Sequence, residues 1–211
     1  MVFYMFFDVE TTGLLYSKPY LVSIAYNVYE LDDDNCKQLV HEYYKVIQPP
    51  TDDYIFPKES VAVHGITTEY AKETGVPIQE ILNDLHTLFD TYTINTIIAH
   101  NIEFDIKALS MQMNRYDKKK MRKNPDDIAL SEKMYNIKTY CTMKENVEIT
   151  KLYSVTNTLV GNKRKFPNKF KYPKLVELYD HLFPGETFIQ HNAKHDMEAC
   201  AKCYFKIVHD L

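Results

Sequence analysis

The chain has 211 residues and a mass of 24.9 kDa, with 45% hydrophobic and 26% charged residues, a globular composition that excludes disorder. No apolar run approaches the roughly 18 residues of a membrane span. The apolar start, Met1–Phe7, lacks a basic flank and a small-residue cleavage site, so no secretory leader is expected. The net charge of −4 is uneven. Residues 1–100 carry 5 Lys and no Arg against 15 Asp and Glu, a net of −10; residues 101–211 carry 20 basic and 14 acidic side chains, a net of +6. A basic half of this kind points weakly to a polyanion partner.

In chain order, residues 1–9 are a continuous apolar run, as suits a central strand buried on both faces. Residues 20–30 and 40–48 are β-branched and aromatic runs separated by the turn Asp32-Asp33-Asp34-Asn35, which predicts a meander of three strands. A Pro- and Asp-rich loop, 49–57, leads to short helical pieces at 59–63 and 67–73. Pro77 opens a helix whose apolar stripe is Ile78, Ile81, Leu82, Leu85, Leu88 and Phe89. A short buried strand, 96–99, precedes a helix over 102–113; residues 125–135 read as a helix and 137–143 as a last strand. Lys118–Lys123 reads as a solvated basic loop, and 150–172 as a long loop without period. Leu175, Leu178, Leu182 and Phe183 mark a helix after Pro173, and 193–210 form the final one. The expectation is one α/β domain over residues 1–211, a mixed sheet with helices on both faces.

Four cysteines are too few for a disulfide scaffold at this length, so a reducing, intracellular setting (cytoplasmic or nuclear, soluble) is expected. Cys200 and Cys203 form a C-x-x-C that could serve zinc or thiol chemistry. No second pair completes a zinc site, and i, i+3 cysteines in a helical pattern share a face, so packing is the favoured reading.

Asp8 and Glu10 are two apart on the first strand, and the period of two projects both carboxylates from one face at its carboxyl end. Chance alone supplies roughly four acidic-x-acidic pairs; a pair closing an apolar run is different, because buried charges must be paired, solvated or metal-bound. In Ala99-His-Asn-Ile-Glu-Phe-Asp105 a buried strand again ends near a carboxylate, with Asp105 preferred over Glu103 because it lies one turn beyond Asn101. In His191-Asn-Ala-Lys-His-Asp196 an acid enters the first turn of the last helix, just after His191.

Taken together, FFDVETTGL, AHNIEFD and HNAKHD resemble the three motifs of the DnaQ-like (DEDDh) 3′–5′ exonucleases of the ribonuclease H-like superfamily, and Val63-His64-Gly65-Ile66-Thr67 resembles that family's His-Gly-Ile-Thr stretch. The histidine subtype is indicated, because His191 precedes Asp196 by five and Asn192, not Tyr, precedes it by four. The resemblance implies a ribonuclease H-like exonuclease fold with a central mixed five-stranded sheet flanked by helices. It implies that Asp8, Glu10, Asp105 and Asp196 hold two Mg²⁺ or Mn²⁺ ions about 4 Å apart, with Asp8 shared between them and His191 the general base. His195 is the alternative base. It further implies that Thr11, Thr12, Gly13, Leu14, His64, Asn101 and Phe104 meet the terminal nucleotide, with Leu14 a wedge against its base or simply core, and His64 a substrate or a turn-packing residue.

The expected activity is metal-dependent hydrolysis at the 3′ end of single-stranded or frayed DNA, releasing nucleoside 5′-monophosphates. The alternatives are an RNA exonuclease of the oligoribonuclease or ribonuclease T kind, and an inactive nucleic-acid or polymerase-binding module; the intact carboxylate set argues against the module. A polymerase or replication partner is compatible with the resemblance, and a membrane is not expected. The segment Lys163–Lys174, six basic residues interleaved with Phe166, Phe170 and Tyr172, is expected either to grip the strand upstream of the cleaved end or to be a solvated loop.

Overall fold

An apolar run ending in acids must be covered along most of its length yet open at its end, and the middle of a sheet supplies both. In the computed structural model, which describes residues 1–115, 124–153 and 170–211, that run is strand β1 (Val2–Thr11). It pairs antiparallel with β2 (Leu21–Leu31), which pairs antiparallel with β3 (Lys37–Val46). On its other side β1 runs parallel to β4 (Ile94–Ala99), and β4 to β5 (Lys138–Cys141), giving a five-stranded mixed sheet in the order β3-β2-β1-β4-β5.

Nine α-helices occur among the described residues: α1 (Lys58–His64), α2 (Thr68–Thr74), α3 (Ile78–Thr91), α4 (Ile102–Met113), α5 (Pro125–Asn136), α6 (Thr142–Glu145), α7 (Val147–Thr150), α8 (Leu175–Leu182) and α9 (Ala193–His209). None is long and apolar enough to cross a membrane. The starts follow local chemistry. Pro77 precedes α3, Asn124 caps α5 by accepting from the Asp126 N–H, and Asn192 caps α9 by accepting from the His195 N–H.

Alternation along β1 divides the core. Met5, Phe7 and Val9 face α3, α4 and α5, where Leu85, Leu88, Ile106 and Leu109 are buried with them. Phe6 faces the other way, into Met197, Cys200, Ala201, Tyr204 and Phe205 of α9. Each buried Phe, Leu or Met contributes about 1.5–3 kcal/mol. Asp8 and Glu10 continue the Phe6 side, so strand period alone directs both carboxylates toward α9.

Several boundaries differ from the sequence reading. β5 stops at Cys141, because Thr142 turns the chain into α6, and the turns α6 and α7 occupy residues that carry no apolar period. The expected basic loop 118–123 and residues 154–169 of the expected long loop lie outside the described residues. Cys200 and Cys203 are buried on the inner face of α9, and burial pushes both thiols up, Cys203 to about 12, which suits packing and opposes thiolate chemistry.

Candidate active site

Three elements end at one place. Asp8 and Glu10 come from the carboxyl end of β1, opposite Ala25 and Ser23 of β2; Asp105 comes from the first turn of α4, and Asp196 from the first turn of α9. Carboxylate oxygens of Asp8, Glu10 and Asp196 all lie within 4.8 Å of one another. Asp105, 3% exposed, stands behind them: its Oδ1 accepts the backbone N–H of Val9 at 3.2 Å. The competitor Glu103 is exposed and pairs with Lys144 and Lys107, away from the group.

The electrostatics are those of an uncompensated acid cluster. Burial pushes Asp8 well above the ordinary carboxylate range, reinforced by repulsion from Asp105, Glu10 and Asp196. Burial, then Asp196, pushes Glu10 up to about 7. Asp105 is also raised by burial, against hydrogen bonds from the Val9 N–H and its own backbone, and Asp196 is raised by burial against the N–H of His191.

These residues form the floor of a cleft with two lobes. The larger, about 530 Å³, is lined by Asp8, Glu10, Asp105, Asp196, His191 and Asn101 among others. The smaller, about 460 Å³, is lined by Thr11, Thr12, Gly13, Leu14 and His64. Val9, Glu10 and Phe104 line both. The four carboxylates, His191 and the seven residues expected to meet the terminal nucleotide therefore all border one lobe or the other, whereas the alternative base His195 borders neither.

Their individual settings differ. Thr11 donates to the Gly13 carbonyl at 2.7 Å, and Thr12 Oγ1 accepts the Tyr20 N–H at 2.9 Å, so both hydroxyls shape the loop after β1. Leu14 is 59% exposed, which excludes its core reading. His64 is buried; its Nδ1 accepts the Ile66 N–H at 3.0 Å, while Nε2 has no partner among the described residues. Nε2 therefore carries the proton, and burial holds the ring's pKa below the usual histidine value. Asn101 and His191 both adopt left-handed backbone, with φ of 71° and 60°, a conformation tolerated by few non-glycine residues. His191 is exposed at the rim, whereas Nδ1 of His195 is buried without a partner among the described residues.

Sequence reasoning missed part of the larger lobe: His100, Met143, Leu175, Phe188 and Gln190, while Tyr172, Pro173 and Lys174 of the lining end the segment expected either to grip the strand or to be a solvated loop. Only His100, adjoining Asn101 in the second motif, carried a signal. It bridges Thr142 and Pro173, and burial holds it neutral, with its pKa down to about 4.

Comparison with known proteins bears on the family and the fold. The family model described as Exonuclease matches residues 5–204. Among solved structures, the chain is similar to Escherichia coli exonuclease I in complex with a dA16 oligonucleotide, with 18% identity, a TM-score of 0.65, and coverage of 98% of this chain and 41% of that one. A product-bound exonuclease I gives 18%, 0.63, 98% and 44%, and an exonuclease I complex with an SSB C-terminus gives 18%, 0.63, 98% and 41%. At this identity the likeness is one of fold, and the chain spans about two fifths of the length of those proteins. No curated protein sequence matches the chain.

Proposed function

The chain belongs to the Exonuclease family, the DnaQ-like group of the ribonuclease H-like superfamily, and on that premise we propose that it is a metal-dependent 3′–5′ exonuclease. In this reading residues 1–211 are one domain that shortens single-stranded or frayed DNA and releases nucleoside 5′-monophosphates. The observation that carries it is the meeting of the Asp8, Glu10 and Asp196 carboxylates within 4.8 Å on the floor of the larger lobe, where Glu10 also borders the smaller one.

The donor set fits a hard divalent cation. All its atoms are carboxylate oxygens, which suits Mg²⁺ or Mn²⁺; burial raises the pKa of all four acids, and repulsion between carboxylates adds to it at Asp8, Glu10 and Asp105, a cost that two such ions would relieve. Asp8, Glu10 and Asp196 would hold them, with Asp105 behind Asp8. Bound divalent ions supply charge neutralisation and Lewis-acid activation of a phosphodiester.

The protein's own groups then have separable tasks. His191, at the rim beside Asp196, takes the proton of the attacking water. The loop Thr11–Leu14 receives the terminal nucleotide in the smaller lobe, which His64 also lines; Phe104 borders both lobes, and Asn101 the larger one. Single-stranded DNA is supported by the dA16 complex of exonuclease I, and a replication-type protein partner by its complex with an SSB C-terminus.

The test is a panel of 5′-labelled DNA and RNA oligonucleotides, single- and double-stranded, with Mg²⁺, with Mn²⁺ and with chelator. The expected result is a ladder shortening from the 3′ end of single-stranded DNA in Mg²⁺ and none in chelator. Faster digestion of RNA would move the substrate to the oligoribonuclease kind, and intact substrate under every condition would leave only the inactive binding module.

A further inference from the structure

The loop that follows β1 lines only the smaller lobe, whereas the larger lobe is lined by a wall from a distant part of the chain, Tyr172, Pro173 and Lys174, leading into α8. His100 holds this wall from within. Its Nε2 lies 3.1 Å from the Pro173 carbonyl oxygen and its Nδ1 3.0 Å from Oγ1 of Thr142. A carbonyl can only accept, so Nε2 donates, and Nδ1 is left to accept the Thr142 hydroxyl. Thr142 is fully buried at the start of α6, which fixes the anchor. A second tie lies just beyond: Glu177 accepts the Lys174 backbone N–H at 2.7 Å and pairs with Lys171.

Between these ties the backbone is fixed, yet Tyr172 is left 58% exposed. A ring this exposed contributes little to the core, and its aromatic face is available to a partner. Lys174 brings positive charge to a cleft whose floor is carboxylate. A strand whose last nucleotide fills the smaller lobe must leave across the acids into the larger lobe, where this wall stands. We propose that Tyr172 and Lys174 form the subsite for the nucleotide on the 5′ side of the scissile phosphate, Tyr172 stacking on its base and Lys174 meeting its backbone, with His100 the positioning residue that holds the wall. The inference rests on the exonuclease reading and adds a specific second subsite to it. Stacking on a tyrosine is tolerant of base identity, as sequence-independent digestion requires.

The experiment uses the full chain, a deoxydinucleotide as the smallest substrate spanning the scissile phosphate, and thymidine 5′-monophosphate as an inhibitor that fills the terminal side alone. Tyr172→Ala and Lys174→Ala should each raise KM for the dinucleotide by roughly tenfold, with a smaller change in kcat. Inhibition by the mononucleotide should hold within about twofold. His100→Ala should copy that pattern, and His100→Gln, whose amide N–H reaches the same carbonyl, should recover most of the wild-type KM. An unchanged KM in Tyr172→Ala and Lys174→Ala, or mononucleotide inhibition weakened as much as the dinucleotide KM, overturns the subsite. A His100→Gln variant as impaired as His100→Ala overturns the positioning role. In each of these cases an active wild type leaves the exonuclease reading standing, whereas a wild type that cleaves no oligonucleotide with either metal removes both.

Discussion

The Asp105 carboxylate accepts the backbone N–H of Val9 at 3.2 Å, so α4 is bonded to the residue that separates Asp8 from Glu10. The position follows from the sheet. The β1–β4 pairing ends at Phe6 and Ile98, and β4 itself ends at Ala99. Beyond that point β1 has no strand neighbour on this side, and a buried N–H there needs an acceptor. Asp105 meets the need with one oxygen while its charge is added to the cluster.

The two roles of Asp105 can therefore be separated. Asp105→Asn keeps an amide oxygen for the Val9 N–H and loses the charge; Asp105→Ala loses both. The alanine variant should be less stable than the asparagine variant by about 1–3 kcal/mol, the cost of a buried donor left unpaired. Both should show weakened Mg²⁺ binding. Glu103→Gln, at an exposed site, should change neither. Chemical denaturation and Mg²⁺ titration check this, and equal stability of the two Asp105 variants would remove the structural role.

The acid cluster also fixes how the metal-free protein responds to pH. Glu10 is raised to about 7, and Asp8, Asp105 and Asp196 are raised by burial. A carboxylate with a raised folded-state pKa binds more protons folded than unfolded between the two values, so stability falls as pH rises. For Glu10 the window runs from its ordinary value of 4.5 to about 7. Without divalent ions, the melting temperature should drop across that window, and Asp8→Asn should flatten the drop. Adding Mg²⁺ at a hundred times its Kd should restore about 2.7 kcal/mol in the wild type and little in Asp8→Asn, which should also lack turnover. A metal-free melting temperature that climbs from pH 5 to 7 would contradict the cluster's electrostatics.

The two histidines before and within α9 are told apart by their surroundings. His191 stands at the rim of the cleft with its backbone N–H directed at Asp196, whereas Nδ1 of His195 is buried, and His195 is not among the residues lining the cleft. His191→Ala should slow cleavage by about 10²–10⁴-fold with oligonucleotide affinity nearly retained, and His195→Ala should slow it much less. Single-turnover rates at saturating metal make the comparison. A larger loss in His195→Ala would transfer the base role to that residue.

What could be read from the sequence was whatever depends on local period or on the short motifs at the ends of β1, β4 and the start of α9. The central place of β1 follows from its apolar run, and the common face of Phe6, Asp8 and Glu10 from a period of two. Asp105 was separable from Glu103 by helical spacing, and the helix after Pro77 begins where expected, at Ile78. The second wall was legible only in part: the segment Lys163–Lys174 was expected either to grip the strand or to be a solvated loop, but its anchor was hidden, because His100 and Pro173 meet across 73 positions and neither stands in a periodic pattern. Phe188 and Met143 were hidden for the same reason: a lone apolar residue in a loop reads as core or as nothing.

Leu14 shows how exposure decides between readings that sequence leaves equal. An apolar residue after a strand is most often core, yet Leu14 is 59% exposed at the mouth of the smaller lobe, on a loop closed by reciprocal hydrogen bonds of 2.9 Å between Thr12 and Tyr20. The Ser17 hydroxyl, donating to the Leu14 carbonyl at 2.7 Å, further fixes its backbone. A rigid loop holding out an apolar side chain is suited to pressing against the terminal base. Leu14→Ala should leave stability within about 0.5 kcal/mol, as for surface substitutions generally. It should raise KM for single-stranded DNA by roughly tenfold, the loss of one stacked apolar contact, and weaken mononucleotide inhibition in parallel, since both ligands use the terminal side. Thermal melting and steady-state kinetics on one preparation test the pair, and an unchanged KM would remove the wedge role of Leu14.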